Sequence, residues 1–229
     1  MDSHQRQFDK ELDDLKMKLI HMAATTETMI DLAIGELVNR DQDVASAVPD
    51  HEAKLDRLQI EIDDRVVTLI ATHQPVAVDL RLLLATTKIN SELERIGDLV
   101  VNITENAPTI INQPQLKPLI DIPRMADLAR KMVRDSLHAF VKGDALMAQG
   151  VILADDQVDL LKDQIIRELV TYMAADPKAI ERALALILIA RHLERIADHA
   201  TNIAEDVIYV IQGRDVRHPS TPREEQSDA

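Results

Sequence analysis

The sequence predicts an all-α fold: two tandem three-helix bundles, six long antiparallel helices in all, related by internal duplication. Three observations carry this. Apolar residues recur at alternating spacings of four and three along most of the chain. Glycine and aromatic residues are scarce (five Gly, two Tyr, two Phe and no Trp in 229 residues), so the apolar content is aliphatic and suits helices better than sheets. Finally, segments of the first half recur in the second at a shift of 100 to 103 residues.

The first helix carries Phe8, Leu12, Leu15, Leu19, Met22, Thr26, Met29, Ala33 and Leu37 on one face, with only Thr26 polar. Asn39-Arg40-Asp41 ends it. A second helix presents Leu55, Leu58, Ile62, Val66 and Leu69. Pro75 suits the first position of a third helix, whose inner face is Ile89, Leu93, Ile96, Val100, Ile103 and Ala107. Pro108, Pro114, Pro118 and Pro123 mark a connector between the halves. Helix four then runs to about Lys142-Gly143 and helix five to about Ala175. Asp176-Pro177 offers an N-cap and a proline for helix six. The resulting organisation is residues 1–112 for the first bundle, 113–123 for the connector, 124–213 for the second bundle, and 214–229 for a polar, disordered tail.

The repeat is explicit in the residues. Asp41, Ala45, Val48 and Leu58 recur as Asp144, Ala148, Val151 and Leu161, and the helix-two stripe falls on Val158, Leu161, Ile165, Leu169 and Tyr172. Leu93-Glu94-Arg95-Ile96-Gly97-Asp98 recurs as Leu193-Glu194-Arg195-Ile196-Ala197-Asp198, and Asn102, Ile103 and Glu105 recur as Asn202, Ile203 and Glu205.

Charge narrows the function. With 40 acidic against 26 basic residues and a formal charge of −14, the surface repels nucleic acid and anionic lipid. It attracts cations and basic protein surfaces instead. The absence of cysteine excludes disulfides and thiolate metal sites and fits a reducing compartment. The N-terminus has no apolar core of the kind a secretory signal needs, and the longest apolar run, Ala183 to Ala190, falls far short of the roughly 20 residues of a membrane span. A soluble cytoplasmic protein is expected.

The acidic pairs are the candidate site. With the inner stripe of helix three at heptad positions a and d, Glu94, Asp98, Asn102 and Glu105 point away from the core, and their copies do so on helix six. Carboxylates four residues apart stand about 5–6 Å from each other at Cβ, where like charges repel and a bound cation reverses the sign. Helix two adds Glu52 and Asp56; helix five adds Asp155 and Asp159. Counted from the turns near residues 73 and 175, these pairs lie level with Glu94/Asp98 and Glu194/Asp198 in antiparallel helices. Four carboxylates per bundle could therefore meet, and oxygen-only ligands favour Mg²⁺, Mn²⁺ or Ca²⁺ while tolerating iron or zinc. A solvated acidic face is the competing reading of each pair taken singly.

Catalysis finds no foothold. No histidine follows a Glu by three residues, as a di-iron carboxylate site would need. No Gly-rich phosphate loop or nucleophile elbow is present. His199, beside Asp198, reads as a solvated surface histidine rather than a phosphotransfer residue.

The segments Gln74-Pro75-Val76-Ala77-Val78-Asp79-Leu80-Arg81, Leu93 to Asp98 with Asn102-Ile103, Leu193 to Asp198 with Asn202-Ile203-Ala204-Glu205, and Asp215-Val216-Arg217-His218 resemble the PhoU family, in its order and spacing. The second half departs from it, with Asp176-Pro177-Lys178-Ala179-Ile180-Glu181-Arg182 where the first has its Pro75 to Arg81 segment. The resemblance implies a cytoplasmic, often dimeric, non-enzymatic regulator. It would couple the phosphate-specific ABC transporter to a phosphate-responsive sensor histidine kinase and keep starvation genes silent when phosphate is plentiful. It also implies that Glu52/Asp56, Glu94/Asp98, Asp155/Asp159 and Glu194/Asp198 can hold surface metal ions: iron, zinc, manganese or magnesium. The alternatives are a metal-dependent carboxylate enzyme or metal store, or a relative serving another anion transporter.

Overall fold

The computed structural model describes residues 3–214 and residue 216. They form six helices: α1 (Ser3–Asn39), α2 (Val48–His73), α3 (Ala77–Ile111), α4 (Asp121–Lys142), α5 (Ala145–Ala175) and α6 (Ile180–Gln212). Short 3₁₀ turns at Gln42–Ala45 and Pro177–Ala179 complete the described residues, which contain no strand. The proposed disordered tail and most of the Asp215 to His218 segment lie outside the described residues; Val216 packs against the core.

The apolar stripes close the fold. Every member of the α1 stripe and of the α3 stripe is buried, as are Ile189, Leu193, Ile196, Ala200, Ile203 and Val207 at the same spacing on α6. Thr26 belongs to the α1 stripe because its Oγ1 donates to the carbonyls of Met22 (2.9 Å) and Ala23 (3.0 Å), which satisfies the buried hydroxyl. Helices α1, α2 and α3 form one bundle, and α4, α5 and α6 the other. They are joined by an extensive α3–α6 contact and by α1 against α4.

Local chemistry sets the helix ends. Asp144 Oδ1 accepts from the Leu146 and Met147 amides and so caps α5. Its repeat mate Asp41 caps the 3₁₀ turn before α2 through Asp43 N. The halves differ here because Pro49 opens α2, whereas Ile152 at the matching position lets α5 run through. Gly143 takes φ 63° to end α4, a conformation that costs glycine little.

Four expectations need correction. Pro123 lies in the first turn of α4 and not in the connector, and Asp176-Pro177 caps and opens the 3₁₀ turn Pro177–Ala179 and not α6, which begins at Ile180. Pro75 does not open α3: Ala77 has φ 49°, outside the right-handed region, so helical geometry begins after it and Pro75 lies in the turn. Pro108 belongs to the last turn of α3, not to the connector, and its carbonyl still accepts from Asn112 N (3.0 Å). The connector after it is clamped on both sides. Arg40 Nη2 donates to Ile111 O (2.6 Å) and to Gln113 O, and Arg182 Nη1 donates to Pro114 O (2.6 Å). Buried Lys117 pairs with Glu168 on α5 and Asp121 on α4.

Candidate functional site

The acidic residues lie on the flanks of the helix pairs. Asp56, Asp98 and Asp198 are exposed, while Glu52, Glu94, Asp155, Asp159 and Glu194 are half-buried along the α2–α3 and α5–α6 seams. None enters the dry core. Asp98 and Asp198 thus point outward as the heptads place them, whereas Glu94 and Glu194 are half-buried in the seams.

The two helices of each pair bring their carboxylates within one another's fields. Glu52 is raised above the usual carboxylate range, first by burial and then by Asp56 and by Asp98 and Glu105 across on α3. Glu94 is raised by burial, by Asp98 and by Asp56 on α2, with Arg95 opposing. In the second bundle, burial pushes Asp155 up to about 6, helped by Asp198, Asp159, Glu194 and Asp156. Asp198 is raised by burial, Glu194 and Asp159, against His199 and Lys162. Each cluster thus stores unfavourable proximity that a cation would relieve. The side chains are not gathered for coordination, however: among the described residues no three acidic or imidazole groups are close enough to hold one ion. The sequence reading placed the eight carboxylates at the right level but did not fix their rotamers.

One residue of the second cluster escaped that reading. Lys162 Nζ stands 2.8 Å from Asp159 Oδ1 and 2.9 Å from Glu194 Oε1, bridging α5 and α6. Hydrogen bonds from the ammonium to Asp159 and Glu194 raise the lysine above its ordinary range. The signal was available, since Lys162 follows Asp159 by three residues on the same helix face.

His199 also differs from expectation. It is not a solvated histidine: its Nδ1 lies 2.6 Å from Glu92 Oε2 on α3, which also accepts from Asn202 Nδ2 at 3.1 Å. Burial pushes Glu92 up, but those two bonds prevail and hold it below the usual range. With Lys88 and Asp206 at 2.9 Å, these groups tie the halves together across α3 and α6. They form a structural junction.

No described helix is long and apolar enough to cross a membrane. The family model described as the PhoU domain matches residues 19–107 and again 122–207, one copy per bundle. A phosphate-specific transport system accessory protein PhoU homolog from Aquifex aeolicus is 42% identical over 209 residues, covering 91% of this chain and 95% of the relative. The crystal structure of PhoU from Pseudomonas aeruginosa is 36% identical and superposes with a TM-score of 0.86, covering 90% of this chain and all of that one. The crystal structure of the phosphate transport system regulatory protein PhoU from Streptococcus pneumoniae gives 0.83 at 26% identity, over 92% of this chain and all of that one. Two domain matches in tandem, on two bundles with repeated acidic seams, settle the affiliation: the chain belongs to the PhoU family.

Proposed function

We propose that this protein regulates phosphate uptake and phosphate-starvation signalling as a cytoplasmic, metal-binding adaptor. It would bridge a phosphate ABC transporter and a sensor histidine kinase and restrain both when phosphate is plentiful. It is a regulator and not an enzyme: its relatives are named accessory and regulatory proteins of phosphate transport. The observation that carries the adaptor reading is the pair of acidic seams, one per bundle, on a chain whose formal charge is −14. Such seams suit basic protein surfaces, and reach the membrane only through partners.

Metal belongs to this reading. Glu52, Asp56, Glu94 and Asp98 on the first bundle, and Asp155, Asp159, Glu194 and Asp198 on the second, offer hard oxygen donors that fit Mg²⁺, Mn²⁺, iron or zinc. Glu52, Glu94, Asp155 and Asp198 are raised first by burial and then by neighbouring carboxylates, and that second contribution, which a divalent ion would remove, supports the fit. A bound ion would supply charge neutralisation, turning a repulsive seam into a fixed docking surface. A homodimer displaying these surfaces twice is part of the proposal.

The test is capture of tagged protein from membranes of its native cells grown with ample phosphate. Recovery of a phosphate-transporter subunit and a histidine kinase is expected. Recovery of neither partner contradicts the adaptor reading.

A further inference from the structure

The duplication does not give two equivalent acidic clusters. At the shift of 103 residues, Glu52 matches Asp155 and Asp56 matches Asp159, and the residue one turn further along is neutral Gln59 in the first bundle but Lys162 in the second. Arg95 and Arg195 occur in both halves, so they do not distinguish them. Lys162 does. We propose that Lys162 is a tethered cation that closes the second cluster to external metal, so that the chain takes divalent ions on its first bundle alone. The inference rests on the metal reading above for the first bundle and replaces it for the second, where Lys162 already occupies Asp159 and Glu194.

Geometry supports the asymmetry. The Lys162 ammonium contacts a carboxylate from each helix of its seam, at 2.8 and 2.9 Å, and approaches Asp163 Oδ1 at 3.9 Å. These are the contacts by which a divalent ion would cross-link α5 to α6. The lysine side chain is only 19% exposed, so its head is held in the seam and does not wave in solvent. An entering ion must break both contacts and then share the seam with the positive charge it displaced. In the first bundle no described lysine or arginine forms an ion pair with Glu52, Asp56, Glu94 or Asp98.

A tethered ammonium also differs from metal in what it can report. Its local concentration is fixed, so the second seam would be held together whatever the metal supply. The first seam alone would respond to cations.

The test is Mn²⁺ titration of the full chain by calorimetry, with electron paramagnetic resonance counting bound ions. Four proteins are compared: the natural chain, Glu94→Gln/Asp98→Asn, Asp155→Asn/Asp198→Asn, and Lys162→Gln, which installs the residue type of the first bundle. Circular dichroism confirms that each is folded, and Lys162→Met serves if Lys162→Gln is not. The natural chain is expected to lose about tenfold or more in Mn²⁺ affinity with the first double variant and to be unaffected by the second. Lys162→Gln is expected to add a second set of ions, removed again by Asp155→Asn/Asp198→Asn. Loss of binding in the natural chain on altering Asp155 and Asp198, or no additional Mn²⁺ in either Lys162 variant, overturns the proposal. If the natural chain binds no Mn²⁺, the metal reading of the first bundle fails by itself. The Lys162 variants then decide the tethered-cation proposal, a gain at the second cluster supporting it and no gain overturning it.

Discussion

At the scale of single residues, the repeat exposes how packing is balanced. A Cβ on Gly97 would come within 2.6 Å of Leu55 Cδ1, whereas the second half has Ala197 with Val158 at the position of Leu55. The volume absent on one helix is present on the other. Gly97→Ala gains about 1 kcal/mol of helix propensity but suffers an overpacking cost of about 1–3 kcal/mol. A net loss is expected, and Leu55→Val in the same chain should recover most of it. Denaturant unfolding of both single variants and the double variant checks this; additive losses would show that the two sites do not couple.

Glu36 is a residue no periodicity could flag. It is 4% exposed, its Oε2 has no hydrogen-bond partner, and burial pushes it up to about 7 from an ordinary 4.5. The folded state therefore holds the proton more tightly than the unfolded one. Below pH 4.5 there is no penalty. Between 4.5 and 7 stability falls as pH rises, and above 7 the loss is constant, at most about 3 kcal/mol. Glu36→Gln should remove this slope, so that its gain over the natural protein is larger at pH 8 than at pH 4.5 in thermal unfolding. An equal effect at both pH values would contradict the burial argument.

At the scale of elements, what could be read from sequence was whatever repeats along a helix. The α1, α3 and α6 stripes and the level of the acidic pairs follow from 3.6-residue periodicity and antiparallel turns. What could not be read depends on neighbours. Pro108 resembles a breaker, yet α3 runs through it to Ile111, and its carbonyl accepts from Asn112 N. Lys162 and His199 carry polar patterns typical of solvated faces, and only the packing of α5 on α6, or α3 on α6, shows which carboxylate each meets. Arg40 provides the test at this scale. Its guanidinium accounts for two carbonyls at the C-terminal end of α3, so Arg40→Ala should cost about 2 kcal/mol. Hydrogen exchange should quicken around residues 108–116 while the middle of α3 stays protected. Unchanged exchange there would remove the clamp from the account.

At the scale of the whole molecule, the inward stripes let each bundle close while the seams stay available for charge. The α3–α6 junction, with Glu92, His199, Asn202, Lys88 and Asp206, fixes one seam relative to the other. On the proposed reading, a partner meets two acidic surfaces at a set separation, the second of them closed by Lys162. The cross-half contact was not legible in the sequence, because its residues lie outside the a/d stripes. Ala183, Ala190, Ala197 and Ala204 form a further buried row at seven-residue spacing that lets neighbouring helices approach α6 closely. The most direct measurement is expression of a phosphate-starvation reporter in native cells kept at high phosphate, with the natural chain replaced by Glu52→Gln/Asp56→Asn/Glu94→Gln/Asp98→Asn. The account predicts a folded protein at normal abundance and a reporter that is switched on. Full silencing by that folded variant would contradict it.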